Sequence, residues 1–382
     1  MDFSLSSEQR AFQETVSRFG AEKLAPFYQQ REKDGIVPKS LRKEMGELGM
    51  LGVELPEKFG GMGLDCVTAG ISIEQVAKAD FNVSYVPLLT SLMGGIMKQH
   101  PDESIASRII GDMCTGETLV ALGLTEPRGG SDAAHLILKA TKDGNGYILN
   151  GEKTSISLAD QSDLVVLFAR TSGTDAKGVS AFLVPLDLPG VSRTRFDDLG
   201  SGAVGRGSIF FDDVKIGADA LIGKEGEGFK LVMNGFDYSR ALIGLMCLGA
   251  AAASLEETWQ YVTERQAFGK PIAKYQGVTE PLAEAETLLT AARLLCYKTL
   301  WLRDHNEAHT AEAAMCKWWA PKTAFDIIHN CIIINGHFAY SKEMPHQQRL
   351  RDVLGLQIGD GTPQIQKMII AREKIGRVAV PY

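Results

Sequence analysis

Paired cysteines, long apolar runs and an excess of base are all missing from this sequence, and each absence closes a class of function. The six cysteines (Cys66, Cys114, Cys247, Cys296, Cys316 and Cys331) are scattered, mostly inside apolar runs, with no Cys-x-x-Cys and no paired spacing. They read as reduced core residues of an intracellular protein, not as a disulfide framework or a zinc site. No apolar run reaches the roughly 18 residues that a membrane span needs. The N-terminus, Met1 to Arg10, has neither the basic and apolar regions of a secretion signal nor the acid-poor character of a transit peptide. A cytoplasmic protein without a membrane span is the simplest expectation. With 47 acidic residues against 40 basic ones, and a formal net charge of −7, a nucleic-acid or anionic-membrane surface is not expected. Histidines number seven; His305 and His309 stand at helical i, i+4 spacing, but Glu307 lies off their face, so no metal site is expected. There is no internal repeat and no low-complexity segment.

What is present is ordinary globular composition, 45% hydrophobic and 23% charged over 382 residues, enough for two or three domains sharing large cores. Residues 1–117 read as helices, opening on a capping box at Ser6-Ser7-Glu8-Gln9 with Phe12, Val16 and Phe19 at helical spacing behind it. Residues 118–227 change character: about six short strand-like runs separated by Gly, Pro and Asp, with a hairpin signal at Asp143-Gly144-Asn145-Gly146. Strands without intervening helices imply a compact antiparallel β barrel or sandwich and exclude a Rossmann unit. From residue 228 to 382 the helical period returns, in segments 229–263, 275–306, 310–336 and 363–376, which predicts a four-helix bundle.

Near the C-terminus an acidic residue stands between glycines, Gly359-Asp360-Gly361-Thr362, and runs into the apolar-periodic Ile365, Met368, Ile369. The glycines permit positive φ and close approach of a ligand, and a helix start supplies free N–H groups. Taken alone, the same pattern is also an ordinary turn and helix cap.

Other motifs stand upstream in a definite order: Leu124-Thr125-Glu126-Pro127-Arg128-Gly129-Gly130-Ser131-Asp132; Asn150-Gly151-Glu152-Lys153-Thr154-Ser155-Ile156-Ser157; Phe236-Asp237-Tyr238-Ser239-Arg240; Arg265-Gln266-Ala267-Phe268-Gly269-Lys270-Pro271-Ile272 with Tyr275-Gln276; and Ile333-Ile334-Asn335-Gly336-His337. In that order and at that spacing the chain resembles the acyl-CoA dehydrogenase family from Phe3 to about Arg377. The resemblance implies an α+β fold: an N-terminal helical domain, a central antiparallel β-barrel domain and a C-terminal four-helix bundle. It implies FAD as cofactor, an acyl-CoA substrate, a homotetramer, and an electron-transferring flavoprotein as electron acceptor. The implied cofactor residues are Leu122, Leu124, Thr125, Gly130 and Ser131 on the first loop, Ser155, Ile156 and Ser157 on the second, and Thr362 and Gln364 beside the acidic turn. Arg265 and Gln276, with Ala267 and Phe268, are implied to hold the cofactor of a neighbouring subunit, and Ile333, Asn335, Gly336 and His337 to line the wall that cradles the FAD pyrophosphate. Ser131, Phe236, Asp237, Arg240 and Gly361 are implied to meet the substrate.

Asp360 aligns with the family's catalytic carboxylate, which implies removal of the α-proton of an acyl thioester with transfer of the β-hydride to flavin N5. The family's alternative base position falls on Ser239, which carries no carboxylate. Three departures stand out. Aspartate replaces the usual glutamate at Asp360; Ser155 stands where a Trp or Phe is usual; Ile333 and His337 replace a glutamine and a glycine. A base one methylene short favours a substrate that brings its α-carbon closer, and a missing aromatic leaves room for bulk. A cyclic or α-branched acyl-CoA, such as cyclohexane-1-carboxyl-CoA, is therefore expected. A nitroalkane-oxidase-like flavin oxidase and a partner subunit of a heteromeric acyl-CoA dehydrogenase remain as alternatives.

Overall fold

A computed structural model of the chain describes residues 4–380. The N-terminal helices are α1 (Ser7–Phe19), α2 (Tyr28–Asp34), α3 (Lys39–Glu47), α4 (Cys66–Ala79), α5 (Tyr85–Met97) and α6 (Glu103–Cys114). The capping box forms: Ser6 Oγ accepts from the Gln9 N–H and Gln9 Oε1 from the Ser6 N–H, each at 3.1 Å. Asp65 and Asp102 cap α4 and α6 by their side chains alone, accepting from the N–H groups of Thr68, and of Ser104 and Ile105. Helices α4 and α5 are apolar nearly all round, and both are buried nearly all round.

The middle of the chain is one sheet of eight strands, β1 (Val120–Gly123), β2 (Lys139–Asp143), β3 (Gly146–Ile156), β4 (Leu164–Arg170), β5 (Val179–Pro185), β6 (Val191–Arg193), β7 (Gly207–Ile216) and β8 (Leu221–Ile222), in the order β6-β7-β3-β2-β4-β5-β8 with β1 added beside β4. The β2–β3 hairpin turns at Gly144-Asn145, as its sequence signals. The sheet is mixed, not purely antiparallel, because β1 and β2 both run parallel to β4. The reason lies in the connection: β1 leads into a long loop, residues 124–138, instead of a tight turn, so no hairpin dictates an antiparallel neighbour.

The C-terminal part comprises α7 (Gly228–Glu264), a small hairpin of β9 (Gln266–Ala267) and β10 (Lys270–Pro271), α8 (Gln276–Asp304), α9 (Thr310–Asn335), the single turn α10 (His337–Tyr340), α11 (Pro345–Ile358) and α12 (Pro363–Ile375). Helix α11 joins the four expected helices; Gly355 and the charged start of this segment mask its period. Helix α7 corrects the expectation that no run is apolar and long enough to cross a membrane, since an 18-residue window of it has mean hydropathy 1.4. That window is wholly buried in the protein, which makes α7 the central core helix. One apolar cluster joins α1, α4 and α5 to α7, α8, α9 and α11, through residues such as Val16, Phe81, Leu245, Ile328 and Val353. A second packs the sheet, through Val166 and Phe168, against α5, α6 and the first turns of α7. The two helical parts thus share a core on either side of α7, with the sheet docked at its N-terminal end.

Candidate active site

The acidic turn links α11 to α12. Asp360 has φ 55° and Gly361 φ 93°; the left-handed conformation costs a non-glycine residue about 1–2 kcal/mol and persists only where its surroundings fix it. Two buried side chains do so. Gln366 Nε2, from the first turns of α12, donates to the carbonyls of Asp360 (3.0 Å) and Gly361 (3.2 Å). Lys317 Nζ, from about two turns into α9, donates to the carbonyls of Leu356 (2.6 Å) and Gly361 (3.3 Å). Thr362 caps α12, its Oγ1 accepting from the Ile365 N–H at 3.5 Å. A Cβ on Gly361 would stand 2.4 Å from Gln366 Nε2, so the glycine is needed for both its φ and its space.

The carboxyl of Asp360 accepts no hydrogen bond from any described residue. Burial pushes its pKa up, and the positive charges of Lys317 and Arg240 oppose that shift without cancelling it. Arg240, on α7, is itself buried, and its Nη1 donates to Asp237 at 2.8 Å. Phe236 is buried beside it under the guanidinium, 5.8 Å from ring centroid to Cζ. The Ser239 hydroxyl is fully buried with no partner. Across from Asp360, at the start of α5, the Tyr85 hydroxyl lies within electrostatic reach of Asp360 on one side and of Ser201 and Arg206 of the sheet region on the other.

On the sheet side, the loop after β1 is held by a buried ion pair inside two of the sequence motifs. Lys153 Nζ donates to Glu126 Oε1 (2.7 Å) and to the Leu124 carbonyl (3.0 Å). Glu126 also accepts the N–H groups of Ile137 (2.7 Å) and Leu138 (2.8 Å). Burial works to raise the Glu126 pKa, but Lys153 and these N–H groups outweigh it and hold the carboxyl below its usual range; burial lowers Lys153 to about 8. The Thr154 N–H donates to the Thr125 carbonyl at 2.8 Å and ties the same loop to β3. This loop carries Leu122 and Leu124 at its root, Thr125 half-buried, and Gly130 and Ser131 exposed.

Ser157 follows β3, half-buried, after buried Ile156. Ser155 is exposed, has φ 58° and sits at a register shift of β3 on β7, so its side chain is turned out of the ladder. Arg206 Nη1 lies 3.5 Å from its Oγ. The hydroxyls of Thr125 and Ser157 have no hydrogen-bond partner among the described residues. Two half-buried, unpaired hydroxyl groups beside a glycine-bearing loop form a donor set that fits the polar edge of a flavin ring.

The remaining predicted residues are gathered elsewhere. Arg265, Ala267, Phe268 and Gln276 lie on the β9–β10 hairpin and the start of α8, and Ile333, Gly336 and His337 at the junction of α9 and α10. Phe268 is 96% exposed and Ile333 66%. Asn335 is the exception: it is buried, its Nδ2 donating to Thr258 Oγ1 and the Cys331 carbonyl, both at 2.8 Å. Its side chain is therefore committed within the bundle. Along α7, the 25 residues from Arg240 to Arg265 span about 37 Å at 1.5 Å per residue, so this group stands far from Asp360.

Sequence reasoning singled out the acidic turn and both sheet loops, and missed Lys317, Gln366 and Tyr85. Lys317 left a signal: a single cation in the apolar run Ala313-Ala314-Met315-Cys316-Lys317-Trp318-Trp319-Ala320. A charge there demands a buried acceptor. Tyr85 left none, since a tyrosine at a helix start has many uses.

A helical half, a sheet docked on it and a helical bundle, with an unpaired carboxylate on the turn between α11 and α12, make up the plan of a flavin-dependent dehydrogenase. The chain belongs to the acyl-CoA dehydrogenase family: the family's N-terminal, middle and C-terminal domain models match residues 6–117, 121–214 and 226–375. FAD is the cofactor of this family, and the enzyme is an FAD-dependent oxidoreductase. The benzylmalonyl-CoA dehydrogenase of Aromatoleum aromaticum is 34% identical over 376 residues, 98% of this chain and 99% of that one. Butyryl-CoA dehydrogenase from Megasphaera elsdenii superposes with a TM-score of 0.94 at 32% identity, covering 98% of this chain and 100% of that one. A glutaryl-CoA dehydrogenase from Mycobacterium smegmatis, solved in complex with FADH2, does so with a TM-score of 0.92 at 26% identity, covering 97% and 95%.

Proposed function

We propose that the chain dehydrogenates the α,β-bond of a cyclic or α-branched acyl-CoA thioester, such as cyclohexane-1-carboxyl-CoA, with Asp360 taking the α-proton. The observation that carries the role of Asp360 is its unpaired carboxylate: it has no hydrogen bond to give up, and burial raises its proton affinity toward that of a working base. Bound FAD supplies the acceptor for the β-hydride. The protein supplies position. Lys317 and Gln366 pin the turn at both flanks of Asp360, so the short side chain is not offset by a mobile backbone. The substrate must bring its α-carbon inward, and a ring or an α-branch does this. Ser155, small and turned outward, leaves space where an aromatic would stand.

The relatives are named for both a branched acyl group, benzylmalonyl, and a straight one, butyryl, so the substrate choice rests on Asp360 and Ser155. Thr125, Ser157 and the loop residues Leu122, Leu124, Gly130 and Ser131 would hold the ring system of FAD. Arg265, Phe268, Gln276, Ile333, Gly336 and His337 would hold the FAD of a neighbouring copy in a homotetramer. The exposure of Phe268, Ile333, Phe338 (55%) and Tyr340 (77%) favours such an arrangement, since apolar groups this open seek a partner. An electron-transferring flavoprotein would then receive the electrons. The test is anaerobic bleaching of the bound flavin by straight, branched and alicyclic acyl-CoAs. Cyclohexane-1-carboxyl-CoA is expected to bleach fastest; straight-chain thioesters reacting at least as fast would refute the substrate assignment.

A further inference from the structure

We propose that Lys317 is a positioning residue for the reaction, clamping the two ends of the Asp360 turn together and directing a positive charge at its carboxylate. The inference rests on Asp360 being the base.

Lys317 is fully buried about two turns into α9. A methionine of similar length would fill this space without the cost of burying an ammonium, so the charge must have a use. Among the described residues Lys317 forms no salt bridge. Its Nζ instead donates to the Leu356 carbonyl at 2.6 Å and the Gly361 carbonyl at 3.3 Å. Leu356 lies in the last turn of α11, where carbonyls lack intrahelical partners and the helix dipole favours a cation. Gly361 lies on the other side of Asp360. One ammonium therefore spans the segment that presents the carboxylate.

The charged and titratable groups around this point define what each does. Asp360 is faced by Lys317 from α9, Arg240 from α7 and Tyr85 from α5. Lys317 is faced by Asp360 and, from α7, by Cys247 and Arg240; burial brings it down to about 8. Arg240 is already paired with Asp237 at 2.8 Å. Lys317 is thus the nearby cation without a carboxylate partner of its own, and its charge favours the ionised form of Asp360 against the pull of burial. Gln366 completes the clamp as a neutral donor.

Two substitutions separate charge from geometry. Lys317→Gln keeps donors for the carbonyls but loses the charge; Lys317→Met loses both. The readout is the pH profile of anaerobic flavin reduction by an acyl-CoA in FAD-loaded enzyme, with FAD content and thermal melting as checks on folding. The acid limb, where reduction fails because Asp360 is protonated, should move to higher pH by about one unit or more in both variants. In Lys317→Met the plateau rate should also fall about 10–100-fold with acyl-CoA affinity unchanged, the cost of a base displaced by a fraction of an ångström to 1 Å. Acid limbs superimposed on wild type in both variants, with Asp360→Asn inactive, would overturn the inference while leaving the base assignment intact. Reduction at the wild-type rate by Asp360→Asn would overturn both.

Discussion

The proposed base, Asp360, is one methylene shorter than a glutamate, and that difference makes a prediction in each direction. Asp360→Glu, on a turn held by Lys317 and Gln366, pushes the carboxylate about 1 Å farther into the site. Activity on a cyclic acyl-CoA should fall about 10–100-fold, and the ratio of straight-chain to cyclic activity should rise, measured as flavin reduction rates on the two substrates. The pH dependence follows from the direction of the shift on Asp360. Its pKa lies above the ordinary carboxylate value because of burial, and a base works only when ionised, so the rate should rise with pH through that elevated pKa and not near 4. The identity of Asp360 as an acidic residue in a glycine turn is readable from the chain. Its setting is not: the residues that fix it, Lys317 and Gln366, come from α9 and α12, and only packing reveals that their side chains converge.

At the scale of elements, the loop after β1 and the end of β3 act as one piece because Glu126 and Lys153 join them. Glu126→Gln leaves Lys153 buried without its carboxylate, a change that costs about 3–5 kcal/mol when an ion pair of this kind loses one partner. The expected result is a lower melting temperature and loss of FAD on purification, read from the visible absorbance per protein. The depressed pKa of Glu126 has a definite consequence: its contribution to stability is present above the unfolded carboxylate value and is lost as pH falls through the lower folded value. The turn between α11 and α12 gives a second element-scale prediction. Gly361→Ala places a Cβ 2.4 Å from Gln366 Nε2 at φ 93°, so flavin reduction should slow at least about 10-fold, read as the rate per bound FAD. The hairpin β2–β3, the capping box and the long helices were all legible, because each rests on local periodicity or turn chemistry. The parallel pairing of β1 and β2 with β4 was not, since it depends on a loop whose path only the tertiary structure sets.

At the scale of the whole molecule, Asp352 on α11 ties the three parts of the chain together. Its buried carboxylate accepts from the Tyr28 hydroxyl (2.6 Å) and Asn82 Nδ2 (2.9 Å) of the N-terminal helical part, and from the Ser201 N–H of the sheet region. Burial pushes its pKa up to about 7, outweighing the Tyr28 and Ser201 hydrogen bonds that pull it down. Asp352→Ala strands the two buried donors of Tyr28 and Asn82 and the half-buried Ser201 N–H, and should destabilise the protein by about 3 kcal/mol or more. Because the folded state holds this proton more tightly than the unfolded chain, the stabilising term is largest below about pH 4 and declines as pH rises to about 7. The stability gap between wild type and Asp352→Ala, measured by denaturant unfolding, should therefore be wider at pH 5 than at pH 8. The tie bears on the proposed site, since Asp352 lies about two turns before Asp360 on the helix that leads into the acidic turn, and Tyr85 follows Asn82 by three residues.

The central proposal is that Asp360 takes the α-proton of the acyl thioester. The most direct test is stopped-flow anaerobic bleaching of the bound flavin by an acyl-CoA, wild type against Asp360→Asn at equal FAD content. Loss of the bleaching rate by about 10²–10⁴-fold in the variant is the predicted result; bleaching by Asp360→Asn at the wild-type rate would contradict the assignment of Asp360 as the base.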